Sequence, residues 1–416
     1  MTEPKKLWPW ITLAGPFFLL FTSIGLINGM TLFYIPVAEA LGVSLTRFSI
    51  YYTLGVLGSL LAMPLAGKIF TKYYNRTRLI IFVSGLLNIL CLLLFARANT
   101  VWEFYVISVI RSVGTAGLST VPATMIINSW FIEKRSLATS IAFIGSGFGG
   151  LFYTQLSKYF LAAYGWRVGY IALAGGCAVT LVLALVFSSP SPEAAGRLPL
   201  GSKEERASAE SWGLTLAQAY KTAGFWVLGI AFFIAGVVVM GVQQPMSSAL
   251  QQDFGHSQEF SASVVSVFLI VVSAGKLIIG WIFDRFGLKT GIIYSGLLLI
   301  VSLLMMCNAY GAAAAYAFAV IFGLGNMNST VTSAAVTSAV FGTREYGTIY
   351  GFLSALLSGG MALGPILTSR FYDVLGSYRG AWILYIVLSV VVAALLIYTL
   401  GQRKKLEAEY PGEISI

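Results

Sequence analysis

Charged residues are scarce in this sequence. Asp, Glu, Lys and Arg together make up 10% of the 416 residues, whereas soluble proteins average about 25%. So little charge cannot cover a surface that faces water, which excludes an ordinary soluble domain. Hydrophobic residues make up 57% of the chain instead, and many of them form long runs. We therefore expect an integral membrane protein.

Histidine and cysteine are also scarce, with one and three copies. Cys91, Cys177 and Cys307 lie far apart within apolar runs, where a free cysteine behaves as a small hydrophobic residue. His256 alone cannot build a multi-histidine metal site. The paired acids and bases of acid–base catalysis are not visible either. The sequence therefore predicts no disulfide framework, no metal, no cofactor and no catalytic residue, so we expect a protein that is not an enzyme.

Acidic residues are missing from the middle of every apolar run. Two basic residues nevertheless fall inside runs: Arg111 in VISVIRSVGTAG and Lys276 in SAGKLIIG. A charged side chain at such depth costs roughly 2.5–3.5 kcal/mol on insertion scales, and in membrane proteins it commonly marks a solute pathway. Two buried cations without a buried acid predict an electropositive cavity, which favours an anionic substrate.

Twelve apolar runs are long enough to cross about 30 Å of hydrocarbon as helices. A segment rich in Pro, Ser, Gly and charge separates the first six runs from the last six. We predict an all-α integral membrane fold with an N-terminal six-helix bundle at 1–188, a cytoplasmic linker at 189–222, a C-terminal six-helix bundle at 223–402 and a cytoplasmic tail at 403–416. The runs are approximately 11–37, 48–69, 78–98, 101–127, 136–161, 167–188, 224–250, 260–283, 289–308, 312–340, 347–372 and 379–400.

The net charge of +10 follows the predicted membrane topology. If the N-terminus is cytoplasmic, 18 of the 26 Lys and Arg residues fall in cytoplasmic segments, six fall outside and two lie within runs. Basic residues collect on the cytoplasmic side of membrane proteins. The asymmetry therefore predicts that both termini are cytoplasmic, and it accounts for the basic composition without a nucleic-acid partner.

The two halves of the chain repeat one another. The segment that begins at Gly67, GKIFTKYYNR, matches GWIFDRFGLK at Gly280, 213 positions later. Arg135 before the fifth run matches Arg344 before the eleventh, 209 positions later. A nearly constant offset indicates a duplication, so the two bundles are predicted to be pseudo-symmetric. Transporters with repeated halves bind substrate near the membrane midplane between the repeats.

The segment 280–289, with the pattern G-x-x-x-D-R-x-G-x-K, resembles the loop motif of the major facilitator superfamily. The first copy departs from the motif at Thr71 and Tyr74, where aspartate and glycine are expected. The resemblance implies that the motif residues pack helices closely and form pairs that break as the carrier opens. We expect this gating and structural role for Gly67, Arg135, Gly280, Asp284, Arg285, Gly287 and Arg344.

A narrower resemblance lies before and within the fifth run. WFIEKRSLATSIAFIGSGFG at 130–149 is similar to the signature of monocarboxylate transporters, and TLFYIPVAEALGVS at 31–44 is similar to the oxalate/formate antiporters of the same group. The resemblance implies a secondary transporter that moves small carboxylates, either monocarboxylates or short dicarboxylates, by alternating access. Antiport, symport and uniport all stay open, as does the coupling ion.

Lys276 occupies the position where that family carries a carboxylate-binding arginine, with Gly280 and Asp284 in register. The resemblance implies that its ammonium holds the substrate anion. The structural alternative is a lysine that extends toward the cytoplasm, since Asp284 follows roughly 12 Å further along the helix. Many family members have an aspartate where this chain has Val272, so the family's usual proton coupling is not predicted.

Further substrate-binding candidates are the second cation and several neutral polar residues inside the runs. Arg111 resembles a helix-four arginine of other superfamily branches, and a purely structural role is the equal alternative. For the neutral residues the alternative is hydrogen bonding between helices. The candidates are Arg111, Asn28, Ser119, Thr120, Gln243, Asn326 and Asn328.

Other functions stay open at this point. A major facilitator exporter of a drug or a sugar is the first alternative, and a membrane-embedded enzyme is the less favoured one. Short loops favour a bacterial inner membrane as the location. We expect a monomeric transport unit with a small carboxylate and the lipid bilayer as its partners.

Overall fold

The computed structural model describes residues 4–189, 191–192, 196–201, 212–326 and 331–410. Within these residues the chain is helical, and its only extended pairings are two isolated bridges. The chain divides into two compact units. The first is Met1–Arg206 with Tyr350–Ala355, and the second is Ala207–Ile349 with Leu356–Ile416. The prediction of an all-α membrane fold is confirmed.

The N-terminal unit contains the first six predicted runs. Its helices are α1 (Pro4–Thr12), α2 (Ala14–Met30), α3 (Tyr34–Ala40), α4 (Leu45–Lys72), α5 (Thr77–Arg97), α6 (Val101–Gly117), α7 (Thr120–Trp130) and α8 (Arg135–Phe187). The 53 residues of α8 hold the fifth and sixth runs, and Gly165 divides them with a left-handed φ of 80°. A side chain at such a φ would be strained, so glycine is what permits the kink.

The C-terminal unit contains the other six runs, apart from residues 350–355 of the eleventh. Its helices are α9 (Leu216–Tyr220), α10 (Ala223–Gln243), α11 (Met246–Gln252), α12 (Gln258–Phe286), α13 (Leu288–Met306), α14 (Ala312–Gly325), α15 (Val331–Phe341), α16 (Tyr346–Leu375), α17 (Arg379–Gly401) and α18 (Arg403–Glu409). Ten segments of the described chain are long and apolar enough to cross a membrane, one of them being the double-length α8. The shorter α14 and α15 together cover the predicted tenth run.

Four of the predicted runs are interrupted rather than continuous helices. The first changes to a 3₁₀ turn at Thr31–Phe33 between α2 and α3, and the fourth breaks between α6 and α7. The seventh breaks before α11, where Pro245 lacks an amide hydrogen, and the tenth ends one helix at Gly325. The breaks therefore fall in the first and fourth runs of each half. The sequence Ser-Thr-Val stands at 119–121 and again at 329–331.

Glycines allow close packing of equivalent helices in each unit. A Cβ atom on Gly145 or Gly149 of α8 would overlap the backbone oxygens of Phe17 and Phe21 in α2. In the second unit, a Cβ atom on Gly360 of α16 would overlap the backbone of α10 in the same way. The glycines of the monocarboxylate-transporter-like segment therefore have a physical purpose, which is to let two helix backbones touch.

Each end of the predicted linker pairs with a loop of its own unit. In the first unit, the Leu200 amide donates to the Trp130 carbonyl at 2.9 Å, and the Ile132 amide donates to the Leu200 carbonyl at 3.0 Å. In the second, the Leu214 amide donates to the Phe341 carbonyl at 2.9 Å. The two loops precede α8 and α16, so the repeated halves hold the linker in equivalent ways. Residues 190, 193–195 and 202–211 of the predicted linker and 411–416 of the predicted tail lie outside the described residues.

Candidate functional site

Lys276 lies on the inward face of α12. Ser257 caps this helix by accepting a hydrogen bond from the Phe260 amide at 3.2 Å. Val264, Phe268 and Lys276 belong to the buried face, and only 7% of Lys276 is exposed. Trp281, on the opposite face, is 53% exposed and suits contact with lipid. The ammonium therefore extends into the protein.

A close helix contact fixes the position of Lys276. The neighbouring Gly275 packs against α14 so tightly that a Cβ atom there would lie 2.9 Å from the Gly323 carbonyl oxygen. Gly323 in turn contacts Val271 of α12. This crossing of two small residues leaves little freedom for α12 at the level of the lysine, so its stem starts from a well-defined point.

The other loop-motif residues lie at the end of α12. Gly280 is buried within the helix, whereas Asp284 and Arg285 are exposed in its last turn. Gly287 ends the helix with a φ of 85°, a conformation that favours glycine. The motif thus makes a tight turn from α12 into α13. In the first copy, Gly67 is buried in α4.

The two repeated arginines stand before equivalent long helices. Arg135 begins α8, and its Nε and Nη2 atoms donate to the carbonyls of Phe131 and Asn128 at 2.8 and 3.4 Å. It thereby stabilises the turn between α7 and α8. Arg344 is exposed in the loop before α16, next to Gly213.

The neutral candidates of the C-terminal unit lie at helix interruptions. Gln243 is the partly buried last residue of α10. Asn326 follows α14 and is 5% exposed, and its Oδ1 atom accepts no hydrogen bond from the part of the chain that the structure describes. Asn328 lies outside the described residues. Interrupted backbone at membrane depth is tolerated where protein buries it or where it lines a wet cavity, so these positions suit solute contact.

The neutral candidates of the N-terminal unit differ in their burial and in the contacts that they make within the protein. The Ser119 hydroxyl caps α7 by accepting from the Val121 amide at 3.2 Å, which gives it a structural role that the hydropathy of the run does not reveal. Thr120 is partly buried beside it. Asn28 is exposed on α2, with its amide nitrogen beside Gly150 of α8.

Arg111 lies on the inward face of α6, in line with buried Phe104 and Ser108. Thr100 caps this helix by accepting from the Glu103 amide. The side chain is partly exposed, yet its Nε and Nη2 atoms are fully buried and donate to no acceptor among the described residues. Carbonyl oxygens of the described chain therefore do not accept from these two donor atoms.

Tyrosine hydroxyls and thiols surround this arginine. Tyr51 of α4, Cys91 of α5 and both Tyr170 and Cys177 of α8 lie within electrostatic range of the guanidinium. Nothing in the sequence marks the two tyrosines, because tyrosines near the ends of apolar runs are commonly interface anchors. Only the arginine itself gave a signal in the sequence.

Comparison with known proteins bears on the family of the chain and on its fold. The family profile of the Major Facilitator Superfamily matches residues 17–263 and 228–413. Monocarboxylate transporter 13 from Rattus norvegicus is 24% identical over 396 residues, which are 92% of this chain and 87% of that protein. The MFS-type transporter hasB from Aspergillus fumigatus is 27% identical over 67% of this chain and 62% of its own length.

A solved structure gives the same result for the fold. The E. coli fucose:proton symporter FucP superimposes with a TM-score of 0.70 at 14% identity, covering 95% of this chain and 99% of that one. Together with the helix pattern, these matches confirm the resemblance to monocarboxylate transporters and the membrane embedding. The chain belongs to the major facilitator superfamily, and it is a multi-pass membrane transporter of small organic solutes that is similar to the monocarboxylate transporters.

Proposed function

We propose that this protein is a secondary active transporter of small organic anions, either monocarboxylates or short dicarboxylates, that works by alternating access. The observation that carries the proposal is Lys276, a cation 7% exposed within a membrane-spanning helix. An ammonium at that depth carries a large free-energy cost, so membrane proteins keep one mainly where it contributes to function. A carboxylate is the solute group that complements it best.

Lys276 also supports an exchange mode of transport. Closing a low-dielectric site over a cation without its anion carries a large desolvation cost. A bound carboxylate offsets that cost by pairing with the ammonium. The loaded carrier should then reorient faster than the empty one, which is the kinetic property of an antiporter.

The relatives support the same substrate class. Monocarboxylate transporter 13 and monocarboxylate transporter 4 from Rattus norvegicus are 24% and 23% identical to this chain over 92% and 99% of its length. Their names indicate monocarboxylates as substrates. We carry this class over to the chain as part of the proposal, with the individual acid left open.

The remaining candidate residues take supporting roles in the proposal. Arg111 is the second cationic ligand. Neutral polar residues at or near the helix interruptions add hydrogen bonds to the solute, where unpaired backbone groups are also available. These residues are Asn28, Ser119, Thr120, Gln243, Asn326 and Asn328. The loop-motif residues Gly67, Gly280, Asp284, Arg285 and Gly287, with Arg135 and Arg344, carry the change between states.

Counterflow in proteoliposomes tests the proposal. The purified full chain is reconstituted with unlabelled acid inside, and uptake of radiolabelled formate, lactate, pyruvate and oxalate is followed with and without a pH gradient. A sugar and a cationic drug complete the panel, because uptake of either of these in place of the acids would contradict the proposal. Accumulation that needs internal acid and no pH gradient is the result expected of an exchanger.

The lysine is tested in the same assay. We expect Lys276→Gln to reduce counterflow at least tenfold, since the fixed charge is lost, and Lys276→Arg to keep part of the activity because the charge remains. Lys158→Gln is the matched control, since Lys158 is an exposed lysine on α8, outside the loop motif. Normal counterflow by a folded Lys276→Gln variant would remove Lys276 from the site.

The cellular location and assembly are also part of the proposal. Short loops suit a bacterial inner membrane. The transport unit is expected to be a monomer of two bundles. Fractionation of cells that express the chain, with size-exclusion chromatography and light scattering of the purified protein, tests both points. Recovery from another membrane, or a stable dimer, would contradict them.

A further inference from the structure

The N-terminal unit encloses a cation whose hydrogen-bonding capacity is largely unused. A guanidinium has five donors in a fixed planar fork, and the Nε and Nη2 atoms of Arg111 are both buried without an acceptor in the described chain. Donors so buried and unused cost free energy unless a ligand takes them up. Nε together with one Nη atom is the edge of the fork that holds a carboxylate bidentately.

A second unused donor lies beside it. Tyr170 is fully buried, and its hydroxyl makes no hydrogen bond within the described residues. The guanidinium of Arg111 and the hydroxyl of Tyr51 both lie within electrostatic range of that hydroxyl. A cation and a phenol with unused donors are therefore found at one place.

The surroundings hold these groups rigidly. Tyr170 stacks on Phe33 with ring centroids 4.6 Å apart and contacts Phe95 at 5.4 Å. Tyr51 packs between Phe48, at 4.8 Å, and Phe104, at 5.9 Å. Aromatic contacts of this kind fix the orientation of a ring. Both hydroxyls are consequently presented from α4 and α8 by a preformed aromatic cluster.

The neighbouring groups make an anion the complementary ligand. The thiols of Cys91 and Cys177 also lie within range of Arg111, but they are weak donors and acceptors. Of the acids in this half, Glu103 lies at the start of α6, where it accepts from Thr100 at 2.9 Å. Apart from Glu103 at its start, the apolar run that contains Arg111 has no acidic residue.

We propose that Arg111, Tyr51 and Tyr170 form an oxyanion pocket in the N-terminal unit that binds one carboxylate of the transported acid. The arginine fork holds the two carboxylate oxygens, and the tyrosine hydroxyls donate to their remaining lone pairs. The two tyrosines thereby select a carboxylate over a halide, because a halide is a single spherical acceptor and lacks the two separate oxygens that this arrangement of donors requires. This inference rests on the proposed function and adds the residues that determine specificity.

Tyr170→Phe is the sharpest test. Because no described acceptor has hydrogen-bond geometry with this hydroxyl, and Tyr51 is its neighbouring phenol, a merely structural role predicts at most a change in melting temperature and no change in carboxylate affinity. Carboxylate binding predicts about tenfold weaker binding, together with a ligand-free melting temperature that stays the same or rises, because a buried donor without an acceptor is removed. The assay is isothermal titration of the purified full chain in nanodiscs with sodium formate, lactate and oxalate, together with thermal unfolding in the same samples.

The matched control is Tyr105→Phe. Tyr105 lies on α6 and is also buried, but its hydroxyl donates to the Arg47 carbonyl. Its removal should lower the melting temperature and leave carboxylate affinity unchanged. The two phenylalanine variants therefore separate loss of stability from loss of a ligand contact.

Arg111→Lys supplies a second readout. A lysine keeps the charge but not the planar fork, so carboxylate affinity should fall about tenfold or more while chloride affinity, measured with sodium chloride, falls less. Binding of chloride alone at this arginine, with carboxylate binding untouched in both the Arg111→Lys and Tyr170→Phe variants, would overturn the inference in favour of a halide site.

The two proposals fail in distinguishable ways. If the wild-type chain binds none of the three acids, the proposed function fails and the pocket with it. If the wild type binds them and Lys276→Gln abolishes binding, whereas Tyr170→Phe binds as tightly as the wild type, only the oxyanion pocket is overturned.

Discussion

At the scale of single residues, a hydrogen bond between a threonine hydroxyl and a tyrosine hydroxyl recurs in both units, with the two residue types on exchanged runs. In the first unit, the Thr180 hydroxyl of the sixth run accepts a hydrogen bond from the Thr22 hydroxyl at 2.8 Å. It also forms a hydrogen bond with the Tyr153 hydroxyl at 2.8 Å. In the second, Thr368 of the eleventh run meets the Tyr385 hydroxyl at 2.6 Å. A threonine–tyrosine pair therefore joins the last two runs of each half, with the tyrosine on a different run in each.

Replacing the central threonine should weaken the N-terminal unit. Thr180→Val removes the partner of the Tyr153 hydroxyl and of Thr22, so we expect a loss of about 1–2 kcal/mol, the range of hydrogen bonds between membrane helices. Thermal unfolding in detergent measures the effect. Thr399→Val is the control, because within the described residues the Thr399 hydroxyl donates to the Leu395 carbonyl of its own helix and to no other helix. Equal stability of the two variants would contradict the expectation.

Single residues differ in how visible they are in the sequence. Lys276 and Arg111 could be found because a charge in an apolar run is rare and costly. Tyr51 and Tyr170 could not, since an aromatic residue in such a run has many ordinary roles, and only the fold brings it to the arginine. The role of Ser119 as a helix cap likewise depends on a break that the composition of the run does not reveal.

At the scale of helices, close glycine packing explains a sequence signature. Gly149→Ala would place a Cβ atom against the Phe21 backbone of α2. Backbone cannot rotate away as a side chain can, so the helices must separate, and we expect a loss of about 1–3 kcal/mol with a matching fall in the melting temperature.

Gly175→Ala is the control for that substitution. Gly175 lies on the same helix, α8, but a Cβ atom there meets no atom within 4 Å. Alanine has the higher helix propensity, so this variant should be neutral or more stable by up to about 1 kcal/mol. The opposite order of melting temperatures would show that packing against α2 is not the reason for glycine at position 149.

The sequence predicted the helical runs well and their interruptions poorly. Hydropathy is an average over many residues, so a break of two or three residues, such as Leu118–Ser119, leaves the run intact. Pro245 is a local sign of one break, because proline has no amide hydrogen to continue the helix. The matching Ser-Thr-Val segments at 119–121 and 329–331 show that the duplication extends to the breaks, a link that needed the structure of the fourth run to be recognised.

At the scale of the whole molecule, the repeated sequence predicts two halves of six runs. The offset between Gly67 and Gly280, and between Arg135 and Arg344, places equivalent loops in each half. The fold follows because each run must satisfy its backbone as a helix within lipid. Orientation in the membrane is a separate question, since helices alone do not distinguish one side from the other, and here it depends on the distribution of charge.

The charge asymmetry predicts which ends of the helices face the cytoplasm, and thiol labelling tests it. Arg97, the exposed last residue of α5, should lie outside, and Lys289, exposed near the start of α13, should lie inside. The three native cysteines are buried, so the wild type should react little and serves as the control. In intact cells a membrane-impermeant maleimide should label Arg97→Cys, and it should label Lys289→Cys only after permeabilisation. The reverse pattern would place both termini outside and contradict the positive-inside argument.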